Sequence, residues 1–325
     1  MSDFVRAFAF ILGTTLMYAT PLIYTAIGGV YSENSGVINI GLEGMMYVGA
    51  FAGAAIAVVT GNSWIAFLGA GVVSGLFGLL HAVACIKFNA NQTVSGIAIN
   101  FLAPGIALFV SRRMFNGATM TPSVPLELKL PRPLNGMFNS LMETYPDNLL
   151  IESLSTIFNQ YITVYIAFAV VFGTWYLLYK TRLGLRIRAV GEHPKAADTV
   201  GVNVYRIRYL CVSASGFLSG LGGAALSIAI VSNFRPGLIS GQGYIALAAM
   251  IFGKWKPRTT MLACFLFGAT KGLQFFLGGP MVGFEISADL LAMMPYMITI
   301  VVLLGFVGKA VAPAASGKPY EMDVR

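Results

Sequence analysis

The chain has 325 residues, 57% of them hydrophobic and only 10% charged, with a formal net charge of +8. An ordinary soluble domain carries about 25% charged residues, so this chain cannot cover a globule with polar surface and reads as an integral membrane protein. The positive excess does not imply nucleic acid, because most of the Lys and Arg fall in loops between apolar runs, where the positive-inside bias accounts for them.

Nine apolar segments follow one another: Phe8–Val30, Met45–Thr60, Trp64–Ile86, Val94–Ser111, Tyr161–Tyr179, Tyr209–Val231, Gln242–Gly253, Thr259–Gly279 and Ala288–Gly308. They are too long and too uniformly apolar for barrel strands, so the fold class expected is all-α and polytopic, with nine transmembrane helices. A tenth crossing hidden in Tyr31–Gly44 is the alternative. Met1–Arg6 contains Asp3, and no small-residue cleavage site precedes the first apolar run, so no signal peptide is expected. Cys85, Cys211 and Cys264 are odd in number, far apart and each inside an apolar run. Neither a disulfide nor a metal site is expected of them, and no cofactor is expected.

Tyr31–Gly44, YSENSGVINIGLEG, is polar where its neighbours are apolar. Asn39, Glu43 and Met46 share one face if the stretch is helical. Polar groups at membrane depth tend to face an interior cavity. The stretch is therefore either a glycine-rich turn or an interrupted helix beside a substrate path. The fourth segment opens on Asn91, Gln92, Thr93 and Ser95 and carries Asn100 a turn later; these either cap the helix or line the path. His81 lies in an apolar helix and is expected to be a hydrogen-bonded core residue. Arg112–Gln160 is a long loop with five prolines, in which Asn148–Asn159 is expected to form an interfacial helix.

Thr181–Arg208, TRLGLRIRAVGEHPKAADTVGVNVYRIR, is the longest polar interruption of the second half. With Lys180 at its lip it carries Arg182, Arg186, Arg188, Lys195, Arg206 and Arg208, which assigns it to the cytoplasm. The same side then receives Lys87–Asn91, Lys254–Arg258 and the tail 309–325, and nine crossings put the N-terminus outside. Inside the basic stretch, Pro194 suits a first helical position and Gly201 a left-handed cap, with Ala196, Ala197 and Val200 between. A helix of under two turns cannot bury its own apolar side, so it needs a partner.

Ile239–Gly253, ISGQGYIALAAMIFG, is a short, glycine-interrupted run comparable with GVINIGLEGMMYVGA from Gly36. In the expected topology the two run in opposite directions. Such pairs point to inverted-repeat halves with a site between them. Lys271 and Gln274 lie one turn apart in the eighth segment, and Lys271 is expected to snorkel to an interface. No phosphate-binding G-x-x-x-x-G-K-[ST] loop and no H-E-x-x-H occurs. The carboxylates Glu33, Glu43, Glu285 and Asp289 are spread apart, unlike the paired site of an ion-driven transporter. The chain is not expected to be an enzyme.

The stretches TRLGLRIRAVGEHPKAADTVGVNV, SENSGVINIGLEGMMYVGA and IALAAMIFGKWKP resemble the ABC importer permeases of the branched-chain amino acid, simple sugar and nucleoside class, in the versions typical of nucleoside uptake. The resemblance runs from about Pro21 to Gly308. One departure is Arg258-Thr259 after Pro257, where relatives commonly have a glycine. The resemblance implies a prokaryotic inner-membrane permease that pairs with a related permease or a copy of itself. It implies that a cytoplasmic ATPase docks on Glu192, His193, Pro194, Lys195, Ala196, Ala197, Asp198 and Gly201, a coupling helix, and hydrolyses the ATP. An external solute-binding lipoprotein would deliver the substrate. A nucleoside is neutral, with an aromatic base and a polyhydroxyl sugar, so its path calls for amides, hydroxyls and aromatic faces. Asn39, Asn100, Gln242, Tyr244 and Gln274, with Phe275, meet that description; Glu43 beside them suits packing or gating. Import of a simple sugar or branched-chain amino acid by the same architecture, or ATP-independent transport, are the alternatives.

Overall fold

A computed structural model describes residues 2–146, 148–279, 287–305 and 310–320. It is helical throughout, with no strand among the described residues. The helices are α1 (Ser2–Asn34), α2 (Leu42–Thr60), α3 (Ser63–Ala82), α4 (Gln92–Met114), α5 (Asn135–Thr144), α6 (Leu149–Phe158), α7 (Ile162–Lys180), α8 (Arg182–Glu192), α9 (Pro194–Thr199), α10 (Val204–Ala224), α11 (Gln242–Phe252), α12 (Pro257–Leu277) and α13 (Ala288–Gly305). Five start on a side chain that accepts the first free N–H groups: Asn62, Asn91, Asn148, Thr181 and Asn203 cap α3, α4, α6, α8 and α10. The caps fix where each apolar run becomes helix.

Among the described residues, seven helices are long and apolar enough to cross a bilayer: α1, α2, α3, α4, α7, α10 and α12. This falls short of the expected nine. Gln242–Gly253 yields α11, whose 11 residues rise only about 16 Å, roughly half a hydrocarbon core. Ala288–Gly308 yields α13, whose last expected residues lie outside those described, as does Glu285. The alternative, a tenth crossing within Tyr31–Gly44, is not seen either. Tyr31–Asn34 complete the 33-residue α1, Ser35–Gly41 leave the helix, and Leu42 opens α2.

α10 is the centre of the bundle, packed on α1, α2 and α3. Its run Ser215, Gly216, Ser219, Gly220, Gly222, Gly223 lets backbones meet, as small residues do in membrane bundles. A methyl on Gly49 of α2 would come within 2.3 Å of the Gly220 Cα, and one on Gly223 within 2.0 Å of the Met46 carbonyl.

The bundle has two chemically distinct ends. At one, α8, α9, the start of α10, the end of α1 and residues 310–320 come together: the Ala315 N–H donates to the Gly191 carbonyl at 2.9 Å, and Asn34 Nδ2 to the Trp255 carbonyl at 3.2 Å. At the other, Arg6 near the start of α1 pairs with Glu152 of α6 at 3.0 Å, and Gln160 Nε2 donates to the Gly13 carbonyl. The N-terminus thus lies at the end opposite the basic segment. Arg112–Gln160 is not a structureless loop, since it holds α5 and the expected helix α6.

Candidate functional site

Two helix starts meet inside the bundle. The chain leaves α1 at Ser35, turns through Gly36 at φ +87° and runs without helix past Asn39 before α2 begins at Leu42. Two hundred residues later it leaves α10, runs irregularly through Ser232–Gly241 and begins α11 at Gln242. α2 runs from this junction away from the basic end. α11 runs toward it, because just beyond the last turn of α11 the Trp255 indole N–H donates to Glu33 at 2.6 Å near the end of α1. The two half-buried starts are therefore antiparallel.

Glu43 joins them. Its two carboxylate oxygens accept from the N–H groups of Gly241 and Gly243, at 2.7 and 2.6 Å. These are orphan donors at the N-terminus of α11, where a negative charge is favoured by the helix dipole. Gly241 sits at φ +87°, a conformation that costs glycine little. Gly243 approaches so closely that a methyl there would lie 2.4 Å from the Glu43 Cα.

Asn100 of α4 completes the junction with all of its amide. Its Oδ1 accepts from the Gly44 N–H at 2.8 Å, and its Nδ2 donates to the Ile40 carbonyl at 3.0 Å and to the Tyr244 hydroxyl at 2.9 Å. Tyr244 is exposed and Gln242 half-buried beside it, and the Tyr296 hydroxyl of α13 lies within 3.6 Å of where a Gly241 side chain would begin. The rim is neutral, amide- and phenol-rich, with a carboxylate behind it.

Asn39 and Gln274 are placed otherwise. Asn39 is not on a helix face with Glu43. It lies in the non-helical break between α1 and α2, fully buried, and its Nδ2 donates to the Ser215 hydroxyl at 3.0 Å, so it anchors the break to α10. Gln274 accepts from Lys271 Nζ at 3.1 Å on α12, and Phe275 stacks on Tyr18; neither bonds to the junction. Of the residues opening α4, Asn91 caps the helix, Gln92 accepts from the Ile38 N–H, and Ser95 meets His81. The buried His81 ring bridges the Ser95 hydroxyl at 2.9 Å and the Ile38 carbonyl at 3.0 Å. The carbonyl can only accept, so Nε2 carries the proton and Nδ1 receives the hydroxyl's.

The sequence reading missed the clasp of Glu33 on Trp255 and the π-helical turns that end α3 and α10 at Val83–Lys87 and Ala225–Ile230. It also missed α8. Leu183, Ile187 and Val190 at helical spacing were the available signal, and Ile187 and Val190 are fully buried.

The short helix α9 follows α8 directly. Pro194 occupies its first turn, Gly201 ends it at φ +84°, and the Val202 N–H closes back on the Ala197 carbonyl. Ala197 is buried, whereas Glu192, His193, Lys195, Ala196 and Val200 are exposed and Pro194 and Asp198 half-buried. Val200 keeps 78% of its surface in the open. Glu192 accepts from the Ala314 N–H at 3.3 Å, tying the turn to the C-terminal segment. Of the residues expected to form a docking turn, Glu192, His193, Lys195, Ala196 and Gly201 are exposed at the basic end, whereas Ala197 packs inward.

This arrangement, a multi-pass helical bundle in which the start of the half-length α11 meets the opposed start of α2, is that of a membrane transport protein. Residues 11–308 match the family described as branched-chain amino acid transport system / permease component, and the chain belongs to that family. It is 43% identical to the guanosine ABC transporter permease protein NupQ of Bacillus subtilis (strain 168), over 98% of each chain. It is 40% identical to the nucleoside ABC transporter permease protein NupC of Lactococcus lactis subsp. cremoris (strain MG1363), over 97% of this chain and 98% of the relative. A second guanosine permease of the same Bacillus strain, NupP, is 21% identical over 80% of this chain and 72% of its own. The chain is a multi-pass inner-membrane permease.

Proposed function

We propose that this chain is the transmembrane subunit of an ATP-driven importer that takes up nucleosides. The observation that carries the reading is near full-length similarity to two nucleoside permeases, at 43% and 40% identity. The junction supports it. A nucleoside needs hydrogen-bond donors and acceptors for ribose and base and aromatic surface for the base. Gln242 and Tyr244, with Tyr296, offer these without a fixed charge on the rim, and Asn100 holds the Tyr244 hydroxyl in place. Glu43 holds the two helix starts in place behind them. The apolar cavity of about 330 Å³ between α2, α3 and α4, lined by Phe51, Ile56, Phe77 and Val110 among others, offers such a solute no polar partner.

In this reading the basic end is cytoplasmic, and α9 is the coupling helix on which an ATPase subunit docks and supplies the energy. The two halves of the chain act as inverted repeats about the junction. A second permease completes the pore, and the paired likeness to NupQ and NupP of one organism favours a related, non-identical partner. An external solute-binding protein delivers the substrate. The test is uptake of radiolabelled guanosine, ribose and leucine into vesicles holding this chain with its ATPase and second permease. Guanosine is expected to accumulate only with ATP. Accumulation of ribose or leucine instead would overturn the substrate, and flux through the isolated chain without ATP would overturn the mechanism.

A further inference from the structure

Between the last turn of α7 and the first of α12 lies a cleft of about 300 Å³, lined by Trp175, Tyr179, Lys256, Pro257, Arg258 and Thr259. It opens at the basic end, since Lys256 follows the Trp255 that clasps Glu33. We propose that this cleft binds the headgroup phosphate of an anionic diacyl phospholipid.

The cations come first. Arg258, the residue that departs from the pattern this chain otherwise resembles, lays its guanidinium on the Trp175 ring with Cζ 3.9 Å from the centroid. Arg188 of α8 stands 5.0 Å from the Tyr179 ring and donates its Nε–H to the Leu178 carbonyl. Stacking and that hydrogen bond orient both guanidinium groups while leaving most of their N–H donors open. Lys256 and Arg258 are exposed, and Lys180 ends α7 next to Tyr179. Among the described residues the only ion pair is Arg6–Glu152, at the opposite end. No described carboxylate neutralises this cluster. Lys256, which precedes α12, makes no side-chain cap, so the first N–H groups of that helix add to the positive field.

The wall above the cations is apolar. Phe168, Phe172, Tyr176 and Tyr179 form an exposed ladder along α7, and Leu262 and Leu266 are exposed along α12. Phe168 of α7 packs on Phe265 of α12 at 5.8 Å, and Phe172 on Trp175 at 5.7 Å. A Trp and Tyr rim with cations below and an aromatic and leucine surface above is the layering of a membrane–water interface. A free anion would use only the lower part. A diacyl lipid uses both, with its phosphate on Arg258 and Lys256, Arg188 beside Tyr179 adding to the field, and its chains along the ladder. Basic pockets between helices at the cytoplasmic face take anionic headgroups in this way. The proposal uses neither the α2/α11 junction nor α9, and it stands whatever solute the chain carries.

The test is native mass spectrometry of the full-length chain in detergent, with phosphatidylglycerol and phosphatidylcholine of equal acyl chains as probes. The chain is expected to retain phosphatidylglycerol in preference. Lys256→Gln and Arg258→Gln are each expected to reduce that preference about fivefold, at roughly 1 kcal/mol per interfacial charge. Arg258→Lys, which keeps the charge, is expected to retain most of it. Equal retention of the two lipids by the unaltered chain overturns the proposal, as does an undiminished preference in the glutamine variants. Should Arg258→Lys lose as much as Arg258→Gln, charge is not the determinant and the proposal fails. Displacement of the lipid by millimolar inorganic phosphate would assign the cleft to a free anion instead. Variants that keep the lipid but lose a co-purifying ATPase would make it a protein contact.

Discussion

Glu43 is the residue on which the junction turns, because it satisfies donors from a helix that begins two hundred residues later. Glu43→Gln retains one acceptor oxygen and turns an NH₂ toward the other N–H. One backbone donor is left unpaired at a buried site, a loss of about 1–3 kcal/mol. The expected outcome is a lower unfolding temperature in detergent together with reduced guanosine uptake; an unchanged melt would show that the two N–H groups do not depend on the carboxylate. The clasp at the basic end makes a second case. Glu33 is 5% exposed, and the Trp255 indole N–H is its hydrogen-bond donor. Trp255→Phe removes that donor and keeps a ring, so it should destabilise by about 1–3 kcal/mol through the stranded carboxylate. Adding Glu33→Leu to it should restore part of the loss. A double variant as unstable as the sum of the two singles would mean that the pair is not coupled.

At the scale of elements, what could be read along the chain depended on whether the signal was local. Pro194 and Gly201 bracket α9 within eight positions, and the short helix stands where they put it. The polarity of Tyr31–Gly44 and the glycines of Ile239–Gly253 exposed both broken segments, and Glu43, Asn100, Gln242 and Tyr244 do converge. Direct reading failed where a partner was needed. Asn39 has the spacing of a polar helical face, but it lies in the break between helices, bonded to Ser215 of α10. Gln274 lies apart from the junction, on α12, where Lys271 donates to it. Glu33 and Trp255 stand 222 positions apart, and no periodicity links them. The half-length of α11 was hidden because an apolar run of 11 residues reads alike whether it crosses or stops at the junction. The surface of α9 carries its own prediction. Ala196 and Val200 are exposed apolar groups beside Lys195 and Glu192. Ala196→Trp and Glu192→Arg should leave insertion and melting close to those of the unaltered chain, since surface changes cost within about 0.5 kcal/mol. ATP-dependent uptake should fall at least tenfold with them. Normal uptake at normal expression would remove α9 from the coupling surface.

For the molecule as a whole, the test of its layout is sidedness. α1 carries the chain from the end that holds α5 and α6 to the end that holds α8 and α9, so those two ends must face different compartments if the bundle spans the bilayer once. The excess of Lys and Arg on the α8–α9 side then predicts that this end faces the cytoplasm. Cys85, Cys211 and Cys264 are buried, so a membrane-impermeant maleimide should find little on the unaltered chain. Single cysteines at Asp3, Asn139 and Lys195 replace exposed side chains and serve as reporters. Asp3→Cys and Asn139→Cys should label in right-side-out vesicles, and Lys195→Cys only in inside-out ones. If Asp3→Cys labels with Lys195→Cys, the N-terminal end has been put on the wrong side, and α1 cannot run between the two ends in the native membrane. If all three label in one orientation, the bundle does not span as assigned, and neither the coupling surface nor the anionic-lipid cleft lies where its chemistry requires.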